Sequence, residues 1–242
     1  METLDNVLGY NLKIYQRRDW FSFSLDSVLL ANFLNVRLST KKILDLGTGN
    51  GIIPLILSLR TKAKIYGVDI QEDLIALAKK SVVYNNLSDQ IELSCLDMIE
   101  LINDKKVYNT YDIVVCNPPY FNNFELTKKN DNIHKTIARH EVKVKLSDVV
   151  LVANHLLKEG GIFAVINRTD RLVEIIDLFK KNNIEPKKIK FVYKNIHSNS
   201  NMVYIEGIKN GKPGLKIQSP FIVYNLDGLP TDDYNSLCKE VL

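Results

Sequence analysis

The chain has 242 residues, of which 45% are hydrophobic and 25% charged, and its formal net charge is +4. No apolar run approaches the roughly 20 residues of a membrane helix, and the first residues lack the charged start and apolar centre of a signal peptide. We therefore expect one cytoplasmic domain, residues 1–242, with no membrane span. The three cysteines and four histidines show no disulfide-framework or metal-ligand spacing, so we expect no metal.

Residues 1–40 form a cover segment ahead of the first predicted core strand. Residues 12–16 are predicted to be extended, and a helix is predicted to begin near Ser24, a suitable N-terminal cap. Arg18 and Asp26 are polar residues where this segment is expected to fold over a ligand loop. A covering helix without a binding role would explain the same pattern.

The stretch from Lys42 to Leu59 predicts a strand, a glycine loop and a helix. The strand is Lys42–Leu46, the loop is Gly47-Thr48-Gly49-Asn50-Gly51, and the apolar helix begins at Ile52. Glycine admits positive φ and lets a ligand approach the backbone closely, and a helix start presents unpaired N–H groups. This arrangement is typical of the nucleotide-binding corner of a doubly wound α/β domain.

Two carboxylates indicate which nucleotide binds at this corner. The loop departs from the dinucleotide fingerprint, because the third glycine, Gly51, comes one residue early. Asp45 lies on the strand before the loop, where a carboxylate suits an ammonium group and repels a pyrophosphate. A second strand ends in Asp69, which is suitably placed for ribose hydroxyls. S-adenosylmethionine (SAM) carries both an amino-acid head and a ribose, so we predict SAM as the cofactor; a glycine turn without a ligand would explain neither carboxylate.

A third predicted strand, Ile91–Cys95, leads to Asp97 and Met98. In this architecture an acidic residue after the third strand can reach the adenine amine of the cofactor. The Met98 backbone and the Ile70 side chain would then flank the adenine ring. A helix cap at Asp97 is equally consistent with the sequence, and both roles can hold.

A fourth predicted strand, Tyr111–Cys116, delivers the tetrapeptide Asn117-Pro118-Pro119-Tyr120. In open α/β sheets, ligands bind outside the carboxyl ends of the strands, so Asn117 should face the same crevice as Gly47 and Asp69. Two prolines stiffen the turn and restrict where its polar groups point. Taken alone, the motif could also be a proline-stiffened loop with no catalytic role.

The tetrapeptide suits methylation of an exocyclic amine. The Asn117 carboxamide oxygen and the Pro118 carbonyl can accept both N–H bonds of the amine, which aims its lone pair at the methyl group. Tyr120 offers a flat face on which the target ring can stack. Correct orientation of the amine can be sufficient for catalysis without a strong base, because the attacked methyl group is bound to a sulfonium.

Positive charge is concentrated in two regions. Residues 180–216 carry a net charge of +7 and residues 121–145 a net charge of +3, so the rest of the chain is net negative. This distribution is typical of a nucleic-acid surface, although ordinary solvated lysines would explain either region alone. We interpret residues 121–144 as a substrate-side lid. The predicted RNA contacts are Phe121, Arg139, His140, Lys187, Lys188 and Lys190, with a helix cap or salt bridge as the alternative for Arg139 and His140.

The remaining elements complete the predicted fold. Helices are predicted at residues 146–157, 171–181 and 232–240, a turn at Lys158–Gly161, and a strand at residues 162–166. Residues 189–193 and 202–208 are predicted to form an antiparallel pair. We therefore predict a Rossmann-like α/β fold with a mostly parallel seven-stranded sheet, an antiparallel C-terminal hairpin and helices on both faces. Residues 41–166 would form the SAM-binding and catalytic core, and residues 167–242 the sheet closure and the basic RNA-facing region.

With these motifs, the chain resembles the class I SAM-dependent methyltransferases over nearly its full length. More narrowly, it resembles the bacterial tRNA1(Val) adenine-N6 methyltransferases, which modify an adenine beside the anticodon. The resemblance lies in Gln16–Leu30, Asn117-Pro118-Pro119-Tyr120-Phe121, Ala138-Arg139-His140-Glu141 and the ending Asn201–Tyr224. The Asn-Pro-Pro-Tyr motif also occurs in glutamine methyltransferases that act on release factors, and related folds methylate ribosomal guanine or DNA adenine.

The resemblance implies a tRNA partner, N6-methyladenosine as the product and SAM as the cofactor. Asn117, Pro118 and Tyr120 would hold the flipped adenine. The residues assigned to SAM binding are Arg18, Asp26, Asp45, Gly47, Asn50, Gly51, Asp69, Ile70, Asp97, Met98 and Asn117. A glutamine methyltransferase normally carries a separate N-terminal recognition domain, for which residues 1–40 leave little room. The second alternative is a catalytically silent RNA-binding methyltransferase fold. We expect a monomer.

Overall fold

The computed structural model describes residues 2–7, 9–17, 24–118 and 144–237. The strands are β1 Glu2–Asn6, β2 Lys13–Arg17, β3 Lys42–Leu46, β4 Lys64–Asp69, β5 Ile91–Cys95, β6 Tyr111–Cys116, β7 Leu157–Arg168, β8 Ile184–Tyr193, β9 Ser200–Lys209, β10 Lys216–Ile217 and β11 Phe221–Ile222. The helices are α1 Leu25–Phe33, α2 Ile52–Arg60, α3 Glu72–Tyr84, α4 Leu146–Leu156, α5 Leu172–Lys181 and α6 Asp232–Leu237, with 3-10 turns at Met98–Ile102 and Thr169–Arg171.

One large sheet organises the described part of the chain. Its strand order is β10-β8-β9-β7-β6-β3-β4-β5, and β11 also pairs with β8. Strands β3 to β7 run parallel, whereas β9 is antiparallel to both β7 and β8. The predicted mostly parallel sheet with an antiparallel C-terminal hairpin is therefore confirmed. Two short strands, β10 and β11, add to the seven long ones along the outer side of β8.

Successive side chains of the central strands point to opposite faces of the sheet, so the core consists of two apolar layers. Ile43 and Ile113 face one layer, which contains residues of α1, α2 and α3. Leu44 and Val114 face the other layer, which contains residues of α4 and α5. Both faces of a parallel sheet are buried in this way, which explains why these strands are continuous apolar runs in the sequence. None of the helices in the described ranges is long and apolar enough for a membrane crossing.

A hairpin of β1 and β2 lies outside the main sheet. Strand β2 is the predicted extended segment, whereas β1 was not predicted, because its sequence Glu-Thr-Leu-Asp-Asn has no apolar alternation. The hairpin docks on α3: the Tyr15 N–H donates to Ser81 Oγ at 2.9 Å, and the Asn85 side chain bonds both the N–H and the carbonyl of Lys13.

The predicted turn at Lys158–Gly161 is instead part of β7. Tyr111 pairs with Leu157 and Ile113 with Ile162, so residues 158–161 lie opposite the single residue Asp112. The strand therefore bulges at this point. Lys158 Nζ contacts Asp112 Oδ1 at 2.6 Å, which ties the bulge to β6.

Candidate active site

The carboxyl ends of three parallel strands meet at one edge of the sheet. Leu46 of β3 pairs with Val68 of β4 and with Cys116 of β6. The next residues on each strand, Gly47, Asp69 and Asn117, are therefore level with one another. The chain builds β4 and β5 on one side of β3 and then crosses to build β6 on the other side. Such a switch point is where open α/β sheets bind ligands.

The glycine loop is held against the end of β4. The N–H groups of Gly47 and Thr48 both donate to the Val68 carbonyl at 2.9 Å. Gly47, Gly49 and Gly51 have φ values of +70°, +55° and +81°, a region that side chains rarely occupy. A Cβ at Gly51 would lie 3.1 Å from the Ala78 Cβ, so the loop also packs closely on α3.

Asp69 links the glycine loop to the start of α3. Its Oδ2 accepts from the Gly49 N–H at 2.9 Å, and its Oδ1 accepts from the Gln71 N–H at 2.9 Å. These two hydrogen bonds fix the carboxylate at the crevice edge, and a carboxylate is a suitable partner for a diol such as ribose.

Asp45 is a buried carboxyl group beside this loop, with no exposed surface. Its pKa is raised from 3.8 to about 8, chiefly because burial disfavours the charged form. The Thr48 hydroxyl opposes this rise, and the nearby Asp69 carboxylate adds to it. Neither Asp45 oxygen nor the Thr48 hydroxyl has a partner in hydrogen-bonding geometry among the described residues. An ammonium group would satisfy such a carboxylate, so the site fits the amino-acid head of SAM.

One of the residues predicted around the cofactor adenine, Met98, lies beside the glycine loop. The Met98 Cε would be 3.9 Å from a Cβ placed on Gly47. Asp97 Oδ1 accepts from the Ile99 N–H at 3.0 Å, so its predicted capping role is present. Ile70 is partly exposed directly after Asp69.

Asn50 is buried in the loop and contacts the N-terminal hairpin. Its Nδ2 donates to Gln16 Oε1 at 3.3 Å, and Gln16 Nε2 donates to Asp5 Oδ2 at 3.1 Å. Gln16 was not among the predicted site residues, because no local pattern relates residues 34 positions apart. The hairpin is thereby connected to a loop residue assigned to SAM.

Asn117 is held by a buried hydroxyl of α1. Its Nδ2 donates to Ser27 Oγ at 2.8 Å, and Ser27 is 8% exposed. The carboxamide oxygen of Asn117 therefore faces away from Ser27. Pro118 is buried directly after it, and Asp26 is half-buried beside Ser27. Ser27 was not among the predicted site residues either.

Five of the predicted site residues lie outside the described residues. One of them, Arg18, was assigned to the cofactor. Tyr120 was assigned to stacking on the target ring. Phe121, Arg139 and His140 were assigned to RNA, and the predicted lid at residues 121–144 lies outside the described ranges except for Val144.

The structure contradicts the predicted RNA contact of Lys188, because the ammonium group of this residue is used inside the protein. Lys188 Nζ lies 2.7 Å from Glu206 Oε2, and the two side chains are 14% and 7% exposed. Lys188 also donates to the Phe33 carbonyl at 2.8 Å, and its ammonium lies 5.1 Å from the Tyr204 ring centroid. Tyr204 donates to Glu206 at 2.7 Å. Lys188 therefore neutralises a buried carboxylate, and its ammonium is turned inward from any RNA.

The other two predicted lysines differ from Lys188. Lys187 Nζ is exposed and donates to the Lys212 carbonyl at 3.0 Å. Lys190 Nζ lies 4.9 Å from the Phe33 ring centroid. Burial lowers the pKa of Lys190, Asp233 opposes this effect and Lys188 adds to it.

The chain is similar in sequence to known methyltransferases. The family model described as methyltransferase small domain matches residues 20–194. A tRNA1(Val) (adenine(37)-N6)-methyltransferase of Phocaeicola vulgatus is 32% identical over 157 residues, which are 65% of this chain and 64% of that protein. The protein of the same description from Flavobacterium johnsoniae is 32% identical over 165 residues, 68% of each chain. The aligned part thus spans slightly under two thirds of the first relative.

Solved structures share the fold. A predicted O-methyltransferase from Agrobacterium tumefaciens superimposes with a TM-score of 0.71 at 18% identity, covering 90% of this chain and 98% of that one. Pyrococcus horikoshii TYW2 in complex with MeSAdo gives a TM-score of 0.61 at 14% identity, covering 87% of this chain and 72% of that one. At these identities the likeness concerns the fold alone.

We predict that Asp45→Asn changes how stability depends on pH. The native state holds the Asp45 proton more tightly than the unfolded chain does, since its pKa is about 8 in place of 3.8. This stabilisation is complete below the unfolded value and is lost as the pH rises through the native value. Wild-type protein should therefore lose up to about 1.4 kcal/mol per pH unit relative to Asp45→Asn between about pH 5 and about pH 8.

Urea unfolding across this pH range measures the difference. Asp73→Asn, which removes an exposed carboxylate from α3, controls for the change in net charge. Parallel pH profiles for wild type and Asp45→Asn would show that Asp45 does not titrate abnormally.

A second prediction separates Lys188 from Lys187. Lys188→Ala leaves Glu206 buried without its cation, so it should lower the free energy of unfolding by about 3 kcal/mol. Lys187→Ala removes an exposed cation from the same strand and should change it by less than about 0.5 kcal/mol. Chemical denaturation of the two variants tests this, and equal stability losses would contradict the structural role of Lys188.

Proposed function

Because the chain belongs to the methyltransferase small domain family, we propose that the protein transfers the methyl group of SAM to the N6 amine of an adenine in tRNA. The adenine is position 37 of tRNA1(Val), as in the names of the similar proteins. The site of action is the cytoplasm, where tRNA is modified. The main support for this proposal is the position of Asn117 at the switch point. Its amide nitrogen donates to Ser27, and Asn117 itself lies level with Gly47 and Asp69 at the edge that holds the glycine loop.

Each residue at the switch point binds a different part of the cofactor. Asp45 receives the ammonium, because its buried oxygens lack hydrogen-bond partners among the described residues. Asp69, which Gly49 and Gln71 hold at the end of β4, receives the ribose hydroxyls. Asp97, Met98 and Ile70 surround the adenine of the cofactor. Arg18 and Asp26 of the N-terminal segment are also proposed to bind the cofactor.

Catalysis depends on how the protein holds the amine. The Asn117 oxygen and the Pro118 carbonyl accept its two N–H bonds, and Tyr120 stacks on the base, which leaves the nitrogen lone pair directed at the methyl group. Bound SAM supplies that methyl on a positively charged sulfur, which keeps the electron pair of the broken C–S bond. The extra proton of the methylated nitrogen then leaves to water, so no strong base is needed.

The substrate is proposed to be tRNA on two grounds. The similar curated proteins are named for tRNA, and residues 180–216 carry a net charge of +7. Lys187 and Lys190 are the proposed phosphate contacts in this region, while Lys188 stabilises the sheet beneath them. Phe121, Arg139 and His140 are proposed to contact the RNA from the segment after the tetrapeptide.

The decisive experiment is transfer of labelled methyl from SAM to unmodified tRNA, with release factor and duplex DNA in parallel, followed by nucleoside analysis. We expect label only in N6-methyladenosine of tRNA. Asn117→Ala should lower turnover by at least about 100-fold, as loss of a pre-oriented polar group does, while SAM still binds. Label in release factor would identify a glutamine methyltransferase. Bound SAM with no transfer to any substrate would identify a silent RNA-binding fold.

Asp69→Ala should weaken SAM binding by about tenfold or more, because charge-assisted hydrogen bonds to the ribose are lost. Calorimetric titration measures the affinity, and thermal unfolding shows whether the loop that Asp69 anchors has remained folded. Asp73→Ala, at an exposed position of α3, is the matched control. An unchanged SAM affinity in Asp69→Ala would rule out the ribose contact.

A further inference from the structure

The carboxyl end of β7 extends beyond the level of Asn117. Cys116 pairs with Val165, so Asn117 is level with Ile166, and Arg168 lies two residues further along β7. Neighbouring strands are about 4.8 Å apart and each residue advances about 3.3 Å, so the Cα atoms of Arg168 and Asn117 are about 8 Å apart. An arginine therefore stands directly beside and above the residue proposed to hold the target amine.

Arg168 also lies on the face of the sheet toward which the Asn117 side chain is turned. Ile166 belongs to the apolar layer that contains the residues of α1, and alternate residues of a strand share a face. The Asn117 amide donates to Ser27 of the same helix. Arg168 and the Asn117 side chain are therefore both on the α1 side of the sheet, at the edge where the substrate is proposed to bind.

The side chain of Arg168 is accessible although its backbone is fixed. Its Nε lies 3.4 Å from Asp170 Oδ2, and the two side chains are 47% and 51% exposed. An ion pair so exposed contributes little to stability, so another anion can replace the carboxylate. The backbone is held by pairing with Met202 of β9 and by the Arg168 N–H, which donates to Asn167 Oδ1 at 2.8 Å.

We propose that Arg168 binds a phosphate next to the target adenosine and thereby positions the RNA strand at the crevice. This inference rests on the proposed function. The N6 amine and the phosphates lie at opposite ends of a nucleotide, so a site that holds the amine at Asn117 needs a further contact for the backbone. A guanidinium has a planar fork that fits two phosphate oxygens. Phosphate contacts of this kind fix the position of a nucleic acid without reading its sequence.

The first test measures the affinity of the protein for a stem–loop RNA with the anticodon arm of tRNA1(Val), by fluorescence anisotropy at several salt concentrations. We expect Arg168→Ala to weaken binding by about tenfold, because a charge-assisted pair of hydrogen bonds is lost. The salt slope should fall by about 0.7 log unit for one contact on a single strand. Arg168→Lys keeps the charge without the fork and should give an intermediate affinity.

Lys62→Ala is the control for loss of a positive charge, because Lys62 is exposed just before β4, at the opposite end of that strand from Asp69. It should leave the affinity for the stem–loop within about twofold of wild type. An Arg168→Ala variant that binds as wild type does, or that loses no more than Lys62→Ala, would overturn the proposal.

Asp170→Asn distinguishes a phosphate contact from a structural ion pair. If Arg168 served only to hold Asp170, both Arg168→Ala and Asp170→Asn would weaken RNA binding alike. A phosphate contact predicts a different result, because Asp170→Asn removes an anion that competes for the guanidinium. This variant should bind the stem–loop at least as tightly as wild type, and equal losses in the two variants would assign Arg168 a structural role.

The contact itself is tested by making single phosphates neutral. Stem–loops are prepared with a methylphosphonate either 5′ or 3′ of the target adenosine. At the contacted phosphate, this change should weaken binding to wild type by about tenfold and binding to Arg168→Ala by less than about twofold, since the interaction is already absent there. Losses of the same size in both proteins, at both phosphates, would refute the contact.

These binding measurements need no turnover, so failure of the inference can be told apart from failure of the proposed function. If the methylphosphonate effect depends on Arg168 but wild type methylates no tRNA, the proposed reaction fails and the contact stands. If N6-methyladenosine forms in tRNA but the losses are independent, the reaction stands and the contact is refuted. A wild-type protein that does not bind the stem–loop would refute the contact as well.

Discussion

Close packing of the glycine loop on β4 is the constraint on which the site depends. A Cβ at Gly67 would lie 2.8 Å from Thr48 Oγ1 and 2.6 Å from Leu93 Cδ2, distances that real Cβ atoms do not show. A glycine at this strand position therefore lets the loop descend onto β4. Its N–H groups then reach the Val68 carbonyl, and Asp69 comes within reach of the loop. Without that contact, the carboxylates and the loop would not share one crevice.

Sequence reasoning succeeded where the physical cause is local. The strand, loop and helix of residues 42–59 follow from an apolar run, glycines with positive φ, and a second apolar run. The parallel register then places Asp69 and Asn117 beside Gly47, because each follows its own strand directly. Ser27 and Gln16 could not be found in this way, since their partners lie 90 and 34 positions away. Only the packing of α1 and of the hairpin brings them to the site.

Counting charges gives the wrong role for Lys188 for a related reason. A sum of lysines treats each as a solvated cation, yet Lys188 of β8 pairs with Glu206 of β9, and its ammonium contacts that buried carboxylate. A buried carboxylate needs a cation and hydrogen bonds, and Lys188 and Tyr204 supply both. Burial, together with the nearby Glu206 carboxylate, raises the pKa of Tyr204 well above its usual value, so the tyrosine remains a donor. The positive charge counted in the sequence therefore includes a lysine that neutralises a buried carboxylate and is not available to RNA.

The two contacts that sequence reasoning missed belong to one N-terminal segment. Gln16 bonds Asn50 in the glycine loop, and Ser27 bonds Asn117 at the end of β6. The two described ends of this stretch of chain therefore contact a residue proposed to bind the cofactor and one proposed to hold the substrate. Both ends of this stretch are anchored, one on α3 through Tyr15 and the other through the capped helix α1. Gln16 on the docked hairpin and Ser27 on α1 each tie one of these two residues to the packed core, and the proposed methyl transfer requires donor and acceptor in one alignment.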